Sequence, residues 1–458
     1  MSDRPNLLFI MCDELRWCDV GCYGDAAART PHMDRLAREG VRIEHAISNA
    51  PVCMPARSVV LSGQHARTCT GTANNTALRF TRDADGEKGW CFDYYAPPKK
   101  AALPEATLPE LLRGAGYHTR AVGKWHVDAW PHEVGFDDYR IPRNHHAHTA
   151  QPFTHNGGPE YCPAGFSVEH EADAVCDFLA NPGERPWFLY YNISPPHMPL
   201  ADMPQKYLEM FDPADVARRG NVPAGFEPTP EQRSTYLWDF RQYLAHLPHA
   251  AADGAAATLE TLIALYRGAT AWVDDTLGRV LAALEESAAA GNTLVVFTSD
   301  HGDMLGSHGL MGKANLYEES IRVPMLVRGP GLPRGRVADD GVGSLLDVAP
   351  TLLAVAGLDV PDHMHGVDLL PALRGDAALP EHAIIETGGD GVGIRTPDTL
   401  LGLRRGDDGR LADRPHKHYD LLSDPLQLQP LDADANALCE QLQAWDAATP
   451  WLDRAAPA

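Results

Sequence analysis

Short runs of consecutive apolar residues alternate along this chain with longer stretches in which apolar positions return every three or four residues. An uninterrupted run suits a strand covered on both faces, whereas the three-to-four repeat lays one apolar stripe along a helix. The runs at 7–12, 118–122, 187–193, 293–299 and 323–327 predict the central strands of a sheet. The stretches at 31–39, 55–63, 106–115, 167–181 and 257–288 predict helices between them, and 347–357 reads as a further helix stopped by a glycine. This alternation predicts an α/β fold with a large, mostly parallel central sheet flanked by helices. After about residue 370 the pattern changes to strand-like pieces at 383–387, 392–396 and 399–404 and a last helix near 434–446. The chain is therefore expected to divide into a catalytic α/β unit over 1–370 and a small C-terminal α+β subdomain over 371–458. Two stretches, 64–105 and 195–250, are rich in proline and polar residues and read as long excursions above the sheet, where substrate-determining loops sit.

Length and composition narrow the classes. A chain of 458 residues, 44% hydrophobic, can bury a large core. It has no run of 18 apolar residues, and the apolar run after Met1-Ser2-Asp3-Arg4-Pro5 is too short for the core of a signal peptide, so a cytoplasmic protein without a membrane partner is expected. The net charge of -23 argues against nucleic acid or an acidic membrane surface, since like charges repel. A small anionic substrate needs only a local group of cations. The nine cysteines, at 12, 18, 22, 53, 69, 91, 162, 176 and 439, are odd in number and lack paired ligand spacing, which indicates neither a disulfide framework nor a zinc cluster.

Candidate chemistry follows from position. In open α/β sheets, ligands collect at the carboxyl ends of the strands. Asp13, Lys124, His126, His197, Asp300 and His301 all fall just past predicted strand ends, so they can converge from distant parts of the chain. Cys53 and Arg57 fall at the start of the helix near 55, where the helix dipole and free N–H groups favour an anion. Arg57, Lys124, His126, His197 and Lys313 are the candidate cations for such an anion. Asn144-His145-His146-Ala147-His148 has a spacing that suits no helix-face ligand pair and reads as a substrate loop or a solvated segment. His65 and Arg67, close behind the helix, are candidates to line the pocket.

The pentapeptide Cys53-Met54-Pro55-Ala56-Arg57 resembles the sulfatase signature. Around it stand Asp13-Glu14, Gly21-Cys22-Tyr23-Gly24, Thr30-Pro31-His32-Met33-Asp34-Arg35-Leu36-Ala37, Gly123-Lys124-Trp125-His126, Ser194-Pro195-Pro196-His197-Met198-Pro199, Phe297-Thr298-Ser299-Asp300-His301-Gly302-Asp303 and Lys313. Their order and spacing, from about residue 5 to about 370, are similar to the sulfatase branch of the alkaline phosphatase superfamily. His418-Tyr419-Asp420-Leu421 is similar to part of its C-terminal subdomain.

The resemblance implies that a maturation enzyme oxidises Cys53 to formylglycine. Its hydrate would attack a sulfate ester, forming a covalent sulfoenzyme that then expels sulfate. It implies that Arg57 holds the hydrate, Lys124 and Lys313 grip the sulfate, His126 helps deprotonate the diol and His197 protonates the leaving oxygen. It also implies one divalent cation held by Asp13, Glu14, Asp300, His301 and the oxygens at position 53. Calcium is the first choice, with magnesium also suited to the hard donors. Glu14 stands where many sulfatases have a second Asp, and its extra methylene repositions or withdraws one ligand. His301 stands where many have Asn, and its imidazole, a softer donor than the amide oxygen, brings manganese or zinc into range. The expected activity is hydrolysis of an aryl, carbohydrate or alkyl sulfate. The alternatives are a phosphonate monoester or phosphodiester hydrolase of the same superfamily and, in another class, a non-catalytic binding protein whose Cys53 stays a thiol.

Overall fold

Leu7-Leu8-Phe9-Ile10-Met11-Cys12 is apolar at every position, and the strand it forms, Asn6–Asp13, is buried from end to end. The computed structural model describes residues 4–74, 80–81, 91–92, 102–142, 146–237, 257–406, 408–432 and 435–452. In it, Asn6–Asp13 lies mid-sheet, parallel to Thr293–Ser299 on one side and to Trp187–Pro196 on the other. Among the described residues the sheet has nine strands, in the order Arg336–Ala338, Val41–Ile43, Met325–Arg328, Thr293–Ser299, Asn6–Asp13, Trp187–Pro196, His118–Gly123, Asp138–Pro142 and Phe153–His155. The fold is thus the mostly parallel α/β sheet that the pattern predicts. Met325–Arg328, expected at 323–327, runs antiparallel to both of its neighbours. The strands at 41–43, 138–142, 153–155 and 336–338 go unforetold, because short strands away from the centre carry no long apolar run.

Side chains alternate across the sheet and build a core on each face. Leu8, Ile10 and Cys12 join one cluster with Met33, Leu36, Val175 and Leu281. Leu7, Phe9 and Met11 join the other with Val60, Leu112 and Leu353. The first face is covered by the helices Pro31–Glu39, Ser167–Ala180 and Leu259–Glu286, the second by Cys53–Ser62, Leu108–Gly114 and Val348–Val355. Among the described residues, no helix is long and apolar enough to cross a membrane.

The small sheet is antiparallel: Ala383–Glu386, Val392–Arg395, Thr399–Leu403 and Lys417–Asp420. One face, with Ile384, Ile394 and Leu401, packs on Cys439 and Leu442 of the helix Asn436–Ala448. The other, with Ile385, Leu400 and Tyr419, packs on Ile47, Leu316 and Ile321 of the main body. It therefore braces the segment that carries Lys313, and Leu316 N–H also donates to Asp390.

His65 and Arg67 belong to this junction. They sit beyond the C-terminal end of the helix Cys53–Ser62, and Arg67 is ion-paired to Glu386 and Asp446. Its guanidinium lies 4.2 Å from the ring of Trp445 and 4.7 Å from that of Trp451. His65 Nε2 accepts from Trp445 Nε1 at 3.0 Å. Burial, His365 and Arg67 push the His65 imidazole down from 6.5 to about 3. The folded chain therefore holds fewer protons than the unfolded chain in that window, and His65 contributes stability that is complete above pH 6.5 and is withdrawn as pH falls toward 3. Acidification from pH 7 to 4.5 is expected to cost about 2–3 kcal/mol through this group. Unfolding scans of the wild type and His65→Gln between pH 4 and 8 check it, with a flatter acid limb expected in the variant and parallel limbs removing His65 as the cause.

Candidate active site

Strand ends deliver most of the site. Asp13 ends the first strand, and Glu14 follows with φ +69. A regular strand would send these neighbours to opposite faces. The left-handed turn breaks the alternation, and both acids meet the same group of cations. Gly123 has φ +85, and a Cβ there would lie 2.0 Å from the Asn192 carbonyl oxygen, so only glycine lets these strands close up beside Lys124. His197 follows the strand Trp187–Pro196, and Asp300 and His301 follow Thr293–Ser299. Cys53 is the first residue of its helix, at the positive end of the dipole.

These elements bring together Asp13, Glu14, Cys53, Arg57, Lys124, His126, His197, Asp300, His301 and Lys313, but not His65 and Arg67. Arg57, 1% exposed, donates to Asp13 at 2.9 Å, Asp300 at 2.8 Å and Asn192 at 2.8 Å. Lys124 is ion-paired to Asp13. Lys313 Nζ stands 3.2 Å from Cys53 Sγ and 3.3 Å from Glu14. His301 Nε2 is 3.3 Å from the same sulfur, and His126 hydrogen-bonds it. His197 Nε2 is 3.3 Å from Glu14.

The electrostatics favour an anion at position 53. Burial opposes ionisation of the Cys53 thiol, yet the charges of Lys124, Lys313 and His301 and the hydrogen bond from His126 bring it well below the ordinary thiol value. Burial would also raise Asp13, and the Cys53 charge with it, but Lys124, His197 and Arg57 hold its carboxyl below the usual range. Glu14 and Asp300 go the other way. Burial raises both, with Asp13 adding repulsion. Burial and the Lys313 charge lower His197 to about 4, so its imidazole is neutral in the free site at pH 7. Its Nδ1–H donates to the Met198 carbonyl at 2.7 Å, which leaves the Nε2 lone pair facing inward.

The site fits a cation. Ligand atoms of Asp13, Cys53, Asp300 and His301 lie within 4.8 Å of one another, and all four residues are buried. His301 Nδ1–H donates to the Gly302 carbonyl at 2.9 Å, turning its Nε2 lone pair toward the acids. The repulsion that raises Asp300 is what a cation would relieve. Glu14 is placed differently. Its carboxylate oxygens have no hydrogen-bond partner and face Lys313 and His197, outside that foursome.

Two site residues, Asn192 and Tyr236, go unmarked in the sequence, and a third, His146, falls in the segment expected to be a substrate loop or solvated. Asn192 anchors Arg57, and nothing local marks it. Tyr236, from the excursion at 195–250, donates to Asp303, accepts from the Gly312 N–H at 2.7 Å next to Lys313, and gives its carbonyl to Leu200 N–H at 2.9 Å. It ties the Lys313 loop to the His197 loop. His146 lies against His197. Of the histidine-rich segment that drew attention in the sequence, Asn144 and His145 lie outside the described residues, while His148 is buried with its Nδ1 3.2 Å from Ser167 Oγ and its backbone N–H donating to Asp202 at 2.6 Å. A separate cavity of about 550 Å³, lined by Arg4, Arg185, Trp187 and Asn292, opens at the other end of the strands and touches none of these groups.

The family model described as Sulfatase matches residues 5–358. Steryl-sulfatase of Mus musculus is 32% identical over 439 residues, covering 83% of this chain and 67% of the relative. Among solved structures, one of a protein in complex with its substrate D-glucosamine-2-N,6-O-disulfate superposes with a TM-score of 0.76 at 23% identity, covering 97% of this chain and 99% of the other. Phosphonate monoester hydrolase of Agrobacterium radiobacter shares the fold as well, with a TM-score of 0.68 at 23% identity over 98% of this chain and 96% of that one.

Proposed function

The chain belongs to the sulfatase family, and on that premise we propose that it hydrolyses a sulfate monoester of an aryl, carbohydrate or alkyl alcohol with formylglycine, made from Cys53, as the nucleophile. The observation that carries the reading is the cationic cradle around position 53, which favours a negative charge on that side chain against the cost of burial. Cys53 Sγ stands in for a hydroxyl oxygen of the hydrated aldehyde. Formylglycine would supply one oxygen that attacks sulfur and a second whose deprotonation releases sulfate.

The chain's own residues perform the rest. His126, hydrogen-bonded to the side chain at 53, takes its proton. Lys313 and Lys124 neutralise the sulfuryl oxygens. Arg57 fixes Asp13 and Asp300 beneath the nucleophile. His197, whose Nε2 lies 3.3 Å from Glu14, protonates the leaving oxygen. An anionic sulfuryl group beside Lys313 offsets the repulsion that depresses His197, so the substrate itself raises the acid toward neutral pH. Asp13, Asp300, His301 and the side chain at 53 would hold the divalent cation, with Glu14 beside it. Calcium suits the carboxylate oxygens, and when bound it would add fixed positive charge opposite the developing negative charge.

The test is a side-by-side steady-state comparison of an aryl sulfate and an aryl phosphonate monoester, with metal-replete enzyme whose conversion at position 53 has been quantified by mass spectrometry. The expected result is conversion of Cys53 to the aldehyde and an advantage for the sulfate on the order of 100-fold or more in kcat/KM, about 3 kcal/mol of transition-state preference. A comparable advantage for the phosphonate would overturn the assignment in favour of that branch. No turnover of either ester by converted enzyme would remove the hydrolase reading.

A further inference from the structure

His146 comes four residues after the end of the strand Asp138–Pro142, and it enters the site ring to ring with His197. The centroids are 3.9 Å apart and the planes 10° from parallel. Its Nδ1 stands 3.4 Å from Lys124 Nζ and 3.4 Å from Ser194 Oγ, the latter three residues before His197. One face of His146 thus covers His197, while its edge is held by the two elements that deliver Lys124 and His197. His197 needs such a support. Its hydrogen bond to the Met198 carbonyl fixes which nitrogen carries the proton and Glu14 lies 3.3 Å from Nε2, but contacts made at the ring edge restrain the tilt of the ring plane only weakly. A flat neighbour at stacking distance restrains that plane directly.

We propose that His146 is a positioning residue that sets the plane of the His197 imidazole and so keeps Nε2 aimed at the leaving oxygen. The proposal rests on the assignment of His197 as the acid. It follows that His146 contributes to the reaction through His197. The contribution grows with the basicity of the leaving alcohol, because a departing aryl oxide needs little protonation and an alkoxide needs much.

The experiment measures kcat/KM for an aryl sulfate and for the sulfate of the least acidic alcohol that the wild-type enzyme turns over. It uses converted, metal-replete wild type, His146→Ala, His146→Phe, His197→Ala and the His146→Ala/His197→Ala double variant. His146→Ala is expected to lose roughly 10- to 100-fold on the poor leaving group and under about 3-fold on the aryl sulfate, within what general-acid assistance supplies. His146→Phe keeps a flat ring without the nitrogens and should recover most of the loss. The double variant should be no slower than His197→Ala, because a residue that acts through another adds nothing once the other is gone. Multiplying losses in the double variant, equal losses on both substrates in His146→Ala, or a His146→Phe as impaired as His146→Ala would each overturn the proposal. Failure of the acid assignment is visible separately, as equal losses on both substrates in His197→Ala, and the double-variant comparison still decides whether His146 acts through His197.

Discussion

Cys53→Ala is expected to reduce sulfate-ester turnover by a factor on the order of 10⁴ or more while the chain stays folded. The catalytic loss follows from the proposed chemistry. Three groups of the cradle converge on the atom at position 53: Lys313 at 3.2 Å and His301 at 3.3 Å, with His126 hydrogen-bonded to it. Removing that atom leaves cations with nothing to present to sulfur. Stability should change little, because alanine is a better helix former than cysteine and the lost sulfur leaves only a small space at the start of Cys53–Ser62. The measurements are kcat on metal-replete protein and a thermal midpoint. Activity within 10-fold of wild type in a folded variant would exclude position 53 as the nucleophile.

Arg57→Ala should damage fold and activity together. The guanidinium is the buried counter-charge of Asp13 and Asp300, both 0% exposed, and its loss leaves two facing carboxylates with Lys124 and His301 as their remaining cationic neighbours. Breaking a buried ion pair from one side typically costs about 3–5 kcal/mol, since the orphaned charges cannot regain water. Denaturant unfolding of metal-free wild type and variant should show a loss of that size, and converted variant should show no measurable turnover. Adding a divalent cation should shrink the stability gap, because a cation between Asp13, Asp300 and His301 supplies the charge that Arg57 no longer does. A gap that is unchanged by calcium, magnesium, manganese or zinc would remove these acids as the metal site.

Much of this site was legible before folding because its residues occupy positions with a local signature. Asp13, Lys124, His197, Asp300 and His301 each close an apolar run, and the end of a buried strand is where a polar side chain can face a cleft. Cys53 and Arg57 are one helical turn apart, so a single local element places both. Asn192 was illegible, because it looks like any polar residue within a strand until Arg57 arrives from 135 positions away. His65 and Arg67 misled for the converse reason. They follow the signature helix closely in sequence, but its 10 residues carry them to the far end, where Trp445 and Glu386 receive them.

The sequence by itself determined the elements and their order, since the period of apolar positions reports which faces will be buried whatever the partner. It thereby determined the α/β class, the strand ends that carry the acids and cations, and the small second sheet. Tertiary structure alone decided the direction of Met325–Arg328, the place of the edge strands, and which groups meet across the site. It set Glu14 against Lys313 and His197, hung the Lys313 loop on Tyr236, and stacked His146 on His197. These are contacts between residues far apart in the chain, and no local periodicity encodes them. They follow from the register of packed strands and from the charges that burial leaves no choice but to pair.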